Sequence, residues 1–483
     1  MTSLAEEKIE QQRWTQILKR PEPVYDKLIE HEFETPEQYR ARNTQNLRAM
    51  LLFASQQVPH YRETFRRANV EAKDGDPAKV LTALPLLSKL DVLDAGKALL
   101  AEKLPPGDMR VHWWESSGTT GRPVRVLHSM LSVKMHPFLA QRSSRWHRLD
   151  PLAKFAEMRI PRLLPRRPDG SEVPPGETIR LAGWRDMPDF ATGPYVGINA
   201  LTPIEERLAW LRRERPDYLM AYSQTLEVLA MAAGNERPEP NIKAVLAISE
   251  QLTPSMRSFV ERRFGAPAHQ IYGLSEFGLA ATRCDAGRYH VHREHCMVEI
   301  VDEQGRACAP GEVGRIVMTG LANFAMPLIR YDTGDLAEAT AGACPCNRTL
   351  PSFGEIVGRY SRIAYLPSGT MGPVLALRET IESMPMEIMQ SLREFQIHQY
   401  ADKRMELRLV AKSPLPEAFF ARIRDEWAKA TVGSKLELSF RSVSEIPKPP
   451  GGKSEVFTSD FMPARDSKTS PPGPTGSGGS HNV

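Results

Sequence analysis

Between residues 203 and 278 short apolar runs alternate with capped helical segments, and this alternation constrains the fold more than any other feature. Pro203 to Arg213 reads as a helix, broken at Arg215-Pro216-Asp217 before the apolar run Tyr218-Leu219-Met220. Val245-Leu246-Ala247-Ile248 is a second such run. Thr253-Pro254 then starts a helix, with threonine as N-cap and proline at the first helical position, where its missing N–H is not needed. That helix is expected to stop at Gly265. Ile271-Tyr272 forms a strand that runs into Gly273-Leu274-Ser275-Glu276-Phe277-Gly278. Strands and helices at this spacing argue α/β layering.

The rest of the chain extends that reading. Residues 1–105 read mostly as amphipathic helices, with Leu47, Met50, Leu51 and Ala54 at helical spacing before the break at Pro59. Leu84 to Lys89 is extended, Val124 to Leu127 is a strand, and the Pro-, Arg- and Gly-rich stretch 160–180 is a long connection. Val298 to Asp302, a turn at Gln304-Gly305, and Arg315 to Thr319 read as a β-hairpin. From about residue 360 the pattern becomes that of a small sheet: Phe395 to His398, Met405 to Val410 and Leu436 to Phe440 alternate, with a helix over Pro416 to Ala428. A chain of 483 residues exceeds what one hydrophobic core usually holds. The expected fold class is α/β: a large N-terminal domain of layered α/β sheets over residues 1–359, plus a small mobile C-terminal α+β domain over 360–465. Residues 466–483 are Ser-, Pro- and Gly-rich and are expected to be a disordered tail.

The charge balance of 63 basic and 59 acidic side chains implies no general affinity for nucleic acid or a membrane surface. No apolar run approaches the ~20 residues of a membrane span. The N-terminus lacks an apolar signal core, so a cytoplasmic protein is expected. The five cysteines all lie between Cys284 and Cys346, which points to local metal binding rather than a disulfide framework. Cys284, His290, Cys344 and Cys346 can make a closed tetrahedral Cys3His zinc site, with His292, His295 and Cys296 as nearby competitors and reduced, partly buried thiols as the alternative.

Five pieces carry candidate chemistry. Ser116, Ser117, Gly118, Thr119, Thr120, Gly121 and Arg122 combine hydroxyls, glycines and a cation in a loop suited to polyphosphate. It is not a Walker P-loop, since the glycine spacing and the Lys-Ser/Thr end are missing. Tyr272, Gly273, Ser275 and Glu276 form a strand-end turn carrying a carboxylate that can hold magnesium, with the turn backbone facing an adenine or a phosphate. Asp335 follows a glycine turn in Tyr331-Asp332-Thr333-Gly334-Asp335 and can accept both hydroxyls of a ribose. Arg359, after Gly358 at the domain junction, can serve as a second sugar or phosphate ligand. Lys453 stands on a Pro/Gly-stiffened loop from which it can be delivered into another domain's site. Singly, each piece also fits an ordinary polar loop or turn.

In this order the pieces resemble the adenylate-forming superfamily of acyl-CoA synthetases. The likeness is to the branch of phenylacetate–CoA ligases and capsule-biosynthesis-type adenylating proteins. Tyr25, Val58-Pro59-His60-Tyr61-Arg62, Leu84-Pro85 and Pro327-Leu328-Ile329-Arg330-Tyr331 also look like that branch, and the resemblance covers roughly residues 20–460. It implies an AMP-forming acid–CoA ligase. ATP would adenylate an aromatic or arylacetic carboxylic acid, and the acyl group would pass to coenzyme A, giving acyl-CoA, AMP and pyrophosphate. The 116–122 loop would hold pyrophosphate, Glu276 Mg2+, Asp335 and Arg359 the ribose, and Lys453 would bridge the carboxylate and the α-phosphate. In the family the small domain then rotates about the linker near Gly358–Arg362. The resemblance leaves room for a homodimer, and some members of the branch carry zinc at residues matching the Cys3His set.

The chain departs from the family pattern in places. Arg122 stands where lysine is usual, Ser361 occupies the hinge position, and the glycine-rich segment after it is blurred over residues 366–373. These changes open two further readings: transfer to an amine, hydroxyl or carrier-protein acceptor instead of CoA, and a non-catalytic nucleotide-binding scaffold. The middle region, 130–215, gives no acid specificity; its Trp146, His147 and Trp184 read as aromatic core packing.

Overall fold

The computed structural model describes residues 4–32, 34–115, 124–359, 377, 380–381, 384–385, 388, 391–402, 404–431, 436–446 and 457–460. Residues 116–122, Ser361, Lys453 and the 466–483 tail, to which sequence roles were assigned above, lie outside these described residues.

The 203–278 alternation folds as expected into α/β layers. Among the described residues nine strands form one sheet, in the spatial order 352–353, 289–291, 278–283, 268–274, 244–248, 218–222, 155–159, 195–199, 178–181. The strands from 268–274 to 195–199 run parallel, and antiparallel strands flank them on both sides. Helix Pro254–Phe264 has the caps read from sequence. Thr253 Oγ1 accepts from the Met256 N–H at 3.2 Å, and Gly265 closes the helix at φ +66°. A capping threonine of this kind contributes about 1 kcal/mol.

Side chains alternate across the sheet, so each strand feeds two cores. Ala156, Met158, Leu219, Ala221, Val245 and Ala247 pack under helices Ile204–Glu214, Ser223–Ala232 and Pro254–Phe264. On the other face Phe155, Tyr195, Tyr218, Met220, Leu246 and Ile248 pack with Trp14, Tyr25 and the helix Met130–Trp146. Two elements differ from the sequence reading. The 160–180 connection holds a 3-10 turn, Pro161–Leu163, and leads into an antiparallel edge strand, Thr178–Leu181. The hairpin strands extend to Cys296–Val301 and Val313–Gly320, and their connection folds back at Asp302, whose N–H donates to Arg306 O at 2.8 Å.

The N-terminal helices are fastened by polar contacts as well as by burial. Arg142, 1% exposed, reaches Glu32 Oε1 at 2.8 Å and Glu294 Oε1 at 3.0 Å, and Arg145 pairs with Glu32. Tyr61 receives the Ile329 N–H at 2.8 Å and donates to Pro327 O at 3.1 Å. Arg330 sits at φ +52° and donates to Thr82 O and Leu84 O, while Leu87 N–H donates to Arg330 O at 2.8 Å. The Val58–Arg62, Leu84-Pro85 and Pro327–Tyr331 motifs are therefore one packed junction.

The smaller C-terminal unit has its own core. Strands Leu438–Ser442, Met405–Ala411, Leu392–Gln399 and Phe457–Ser459 form a sheet in that order. Helix Glu417–Ala430 covers it through Phe419, Ile423 and Trp427. No helix among the described residues is long and apolar enough to cross a membrane.

Candidate active site

The strand Ala268–Leu274 ends at the tightest turn of the site. A Cβ on Gly273 would lie 2.7 Å from Gly278 O, so only glycine lets the two strands close here. Gly278 takes φ +75° and Phe277 N–H donates to Leu274 O at 3.2 Å. Glu276 stands at the tip, 9% exposed, and Tyr331 Oη donates to its Oε1 at 3.0 Å.

Two buried imidazoles hold the backbone on either side of Glu276. His128 Nε2 donates to Ser275 O at 3.3 Å while its Nδ1 accepts from Ser132 Oγ at 3.2 Å. Burial holds the His128 pKa down to about 4, so the ring is neutral at physiological pH and can play both parts. His295 Nε2 donates to Phe277 O, and burial lowers its pKa also. Sequence reasoning missed this role of both histidines. Their partners lie 147 and 18 residues away and are main-chain carbonyls, which leave no mark in a sequence.

The second predicted turn lies inside the strand Tyr331–Glu338, with Gly334 at φ +80°. Gly334 N–H donates to Asp332 Oδ1 at 3.1 Å and Asp335 N–H to Thr333 Oγ1 at 3.1 Å. Tyr272 Oη donates to Asp335 Oδ2 at 2.8 Å. Asp335 is the register partner of Arg359 on the neighbouring strand. Gly358, at φ +143°, precedes it where Gln251 Nε2 donates to Ile356 O and Val357 O at 2.8 and 2.9 Å.

A cavity of about 1000 Å³ opens over these turns. Gly273, Ser275, Glu276 and residues 331–334 line it at one end; the strand carrying Phe155, Glu157 and Arg159 lies three places along the sheet from 268–274, so these residues, with Trp184, Arg185, Tyr195 and Met220, line the other. Tyr272 and Asp335 meet beside it. The structure thus brings together Tyr272, Gly273, Ser275, Glu276, Asp335 and the Arg359 backbone. Trp184, read as core packing, is 4% exposed and also lines the cavity, its ring 4.9 Å from that of Phe155.

The four zinc candidates also converge: the ligand atoms of Cys284, His290, Cys344 and Cys346 all lie within 4.8 Å of one another. Cys284 Sγ and Cys344 Sγ are 3.7 Å apart. That is too far for a disulfide, and two thiolates on a tetrahedral zinc with Zn–S ~2.3 Å sit about 3.8 Å apart. His290 Nδ1 donates to Leu350 O at 3.0 Å, leaving Nε2 free to ligate, 3.2 Å from Cys346 Sγ. Hydrogen bonds from Cys284 and then His290 depress the Cys346 pKa, favouring the thiolate a metal requires. The donor set and spacing fit zinc. Of the competitors, His292 instead bonds Thr282 Oγ1 at 3.0 Å, and Cys296 faces Ala280 O.

Residues 194–326 match the profile of the family described as AMP-binding enzyme. Phenylacetate-coenzyme A ligase of Thermus thermophilus is 28% identical over 352 residues, 69% of this chain and 73% of that protein. The Escherichia coli protein of the same name is 28% identical over 355 residues, 69% of this chain and 74% of that one. These matches support an adenylate-forming enzyme. Its relatives are those of the phenylacetate–CoA ligase branch. In three dimensions it is similar to 2-hydroxyisobutyryl-CoA ligase in the postadenylation state, with a TM-score of 0.69 at 15% identity, over 90% of this chain and 91% of that one. That likeness is one of fold, in both the large domain and the smaller C-terminal one. The Tyr272–Glu276 and Tyr331–Asp335 segments, which carry the sequence resemblance, form the two turns described above. In this chain each carboxylate is held by the tyrosine of the other motif: Tyr331 binds Glu276 and Tyr272 binds Asp335.

Proposed function

We propose that the protein is an ATP-dependent acid–CoA ligase. A substrate carboxylate oxygen attacks the α-phosphorus of ATP and the bridging bond to the β-phosphate breaks, releasing pyrophosphate and leaving an acyl adenylate. The CoA thiolate then attacks the acyl carbon, and AMP leaves. The observation that carries the reading is the pair of tyrosine-held carboxylates: Glu276 lines a cavity of about 1000 Å³, and Asp335 directly follows the 331–334 segment that lines it too. That volume suits a nucleotide and a small acid together.

Charge spreads over phosphoryl oxygens in this chemistry, so the protein's part is positioning and electrostatics. Glu276 would hold magnesium, which neutralises phosphate charge when bound. Asp335 and Arg359 would anchor the ribose; residues Ser116 to Arg122 would take the pyrophosphate and Lys453 the reacting carboxylate. These last assignments rest on the family resemblance. The names of the relatives support coenzyme A as acceptor and an aromatic or arylacetic acid as substrate. We assign residues 1–359 to the adenylation domain and 360–465 to a small domain that turns about Ser361 between half-reactions. A cytoplasmic location, where ATP and CoA are both at hand, goes with this reading.

Zinc at Cys284, His290, Cys344 and Cys346 would be structural, pinning the segment after the Glu276 turn to the segment after Asp335. The test of function is acid-dependent ATP–pyrophosphate exchange, with and without CoA, in the wild type and in K453A. The reading requires exchange that K453A greatly reduces while ATP still binds. Pyrophosphate release with no thioester formed in the presence of CoA would replace CoA by another acceptor.

A further inference from the structure

The end of the cavity remote from Glu276 is charged where an unsubstituted aryl acid would need only carbon. The strand Phe155–Arg159 lies within the parallel part of the sheet, and its alternation turns Phe155, Glu157 and Arg159 toward the cavity while Ala156 and Met158 face the helices. Arg159 stands at the strand's C-terminal end, where ligands of parallel sheets bind.

Glu157 is 1% exposed and is contacted on both carboxylate oxygens. Tyr195 Oη donates to its Oε2 at 2.7 Å, Arg159 Nε lies 2.7 Å from Oε1, and Arg185 Nε is 3.5 Å from Oε2. Gly197, its register partner, makes room for that tyrosine: a Cβ there would lie 2.8 Å from Tyr195 Oη. Arg185 donates to Leu163 O and pairs with Asp186 Oδ1 at 2.8 Å, although its buried Nε makes no hydrogen bond. Arg159 has fewer partners still. Beyond its ion pair with Glu157 and the more distant charge of Asp186, the one hydrogen bond its guanidinium makes among the described residues is to the thioether of Met220, Nη2 to Sδ at 3.5 Å. A thioether is a weak acceptor, and a guanidinium has five N–H groups to place. Arg162, on the same rim, adds positive charge.

We propose that the acid accepted by this cavity carries an acceptor oxygen, a hydroxyl or a second carboxylate, at the end remote from the carboxylate that is activated. Arg159 is the residue that reads it. Glu157 fixes the Arg159 fork, and Tyr195 and Arg185 fix Glu157. The proposal rests on the adenylation reading for the identity of the reacting carboxylate, but the pocket's preference can be measured without adenylation.

The test uses the full chain and two matched series: phenylacetate with its 4-methyl, 4-hydroxy and 4-carboxy forms, and hexanoate with 6-hydroxyhexanoate and adipate. Binding is read as the acid-induced rise in Tm without ATP, and turnover as acid-dependent pyrophosphate exchange. In at least one series the oxygen-bearing acid should bind about tenfold more tightly than its apolar match, which is ~1.4 kcal/mol. Arg159→Met should abolish or reverse that preference without changing the KM for ATP. Because this variant strands Glu157, the paired variant E157Q/R159M, checked for native circular dichroism, must show the same loss. Whether hydroxyl or carboxylate wins identifies the oxygen. Equal response to all acids, response to none, or a preference that survives in both variants overturns the proposal. Binding preference without any exchange would instead sink the adenylation reading and leave this one standing.

Discussion

Tyr331 Oη donates to Glu276 Oε1 at 3.0 Å, joining the two signature turns of the site across 55 residues of sequence. The hydroxyl fixes one oxygen of the carboxylate and so aims the other. If Glu276 holds magnesium, E276Q should lower acid-dependent pyrophosphate exchange by about 10²-fold and raise the magnesium concentration needed for half-maximal rate. Y331F removes only the aim and should cost about tenfold, with the same shift in magnesium dependence. A magnesium titration of the exchange rate separates the two effects. An unchanged titration in E276Q would remove the carboxylate from metal binding.

The neutral imidazole behind Ser275 makes stability depend on pH. Burial lowers His128 from 6.5 to about 4, so the folded protein binds fewer protons than the unfolded chain between those values. Stability from this group is complete above pH ~6.5 and is lost as pH falls toward 4, by about 3 kcal/mol in all. Urea unfolding across this range should show a stability slope that H128Q flattens. A slope unaltered in the variant would assign the pH dependence elsewhere.

Zinc content gives a third prediction. Purified protein should hold about one zinc per chain, and a strong chelator should lower Tm and weaken ATP binding together. C344S and C346S should each lose the metal. A metal-free chain of undiminished Tm would leave the cluster a set of reduced thiols.

The Arg142–Glu294 pair is expected to fasten the N-terminal helices. Burial raises the Glu294 pKa, but Arg142, by charge and hydrogen bond, outweighs it and holds the group down to about 2. E294Q removes one of the two carboxylates that hold a guanidinium 1% exposed, Glu32 being the other, and should cost about 3 kcal/mol. R142M with E294Q should recover part of that loss, since Glu32 keeps Arg145 as its partner. Denaturant unfolding of the three variants measures the coupling.

What could be read from the sequence was local. Thr253-Pro254 and Gly265 announce a helix because caps act within one turn; Gly334 announces a turn because other residues resist its positive φ, and Gly273 because a side chain there would strike the Gly278 carbonyl. Cys284, His290, Cys344 and Cys346 were legible as donors, though only the fold could separate His290 from His292. The helix Met130–Trp146 and the roles of His128, His295, Glu157 and Arg159 were not legible. Each depends on a partner brought in by the sheet, such as the Ser275 carbonyl or the Tyr195 hydroxyl. An arginine at a strand end reads as a charged edge until its neighbours are known. The polyphosphate loop and Lys453 rest on their resemblance alone.

The most direct test of the account is acid-dependent ATP–pyrophosphate exchange followed by addition of CoA, using the wild-type chain and an acid panel. The account predicts exchange only when an accepted acid is present, and stoichiometric acyl-CoA and AMP once CoA is added. Absence of acid-dependent exchange with every acid, in a protein that binds ATP, would contradict it.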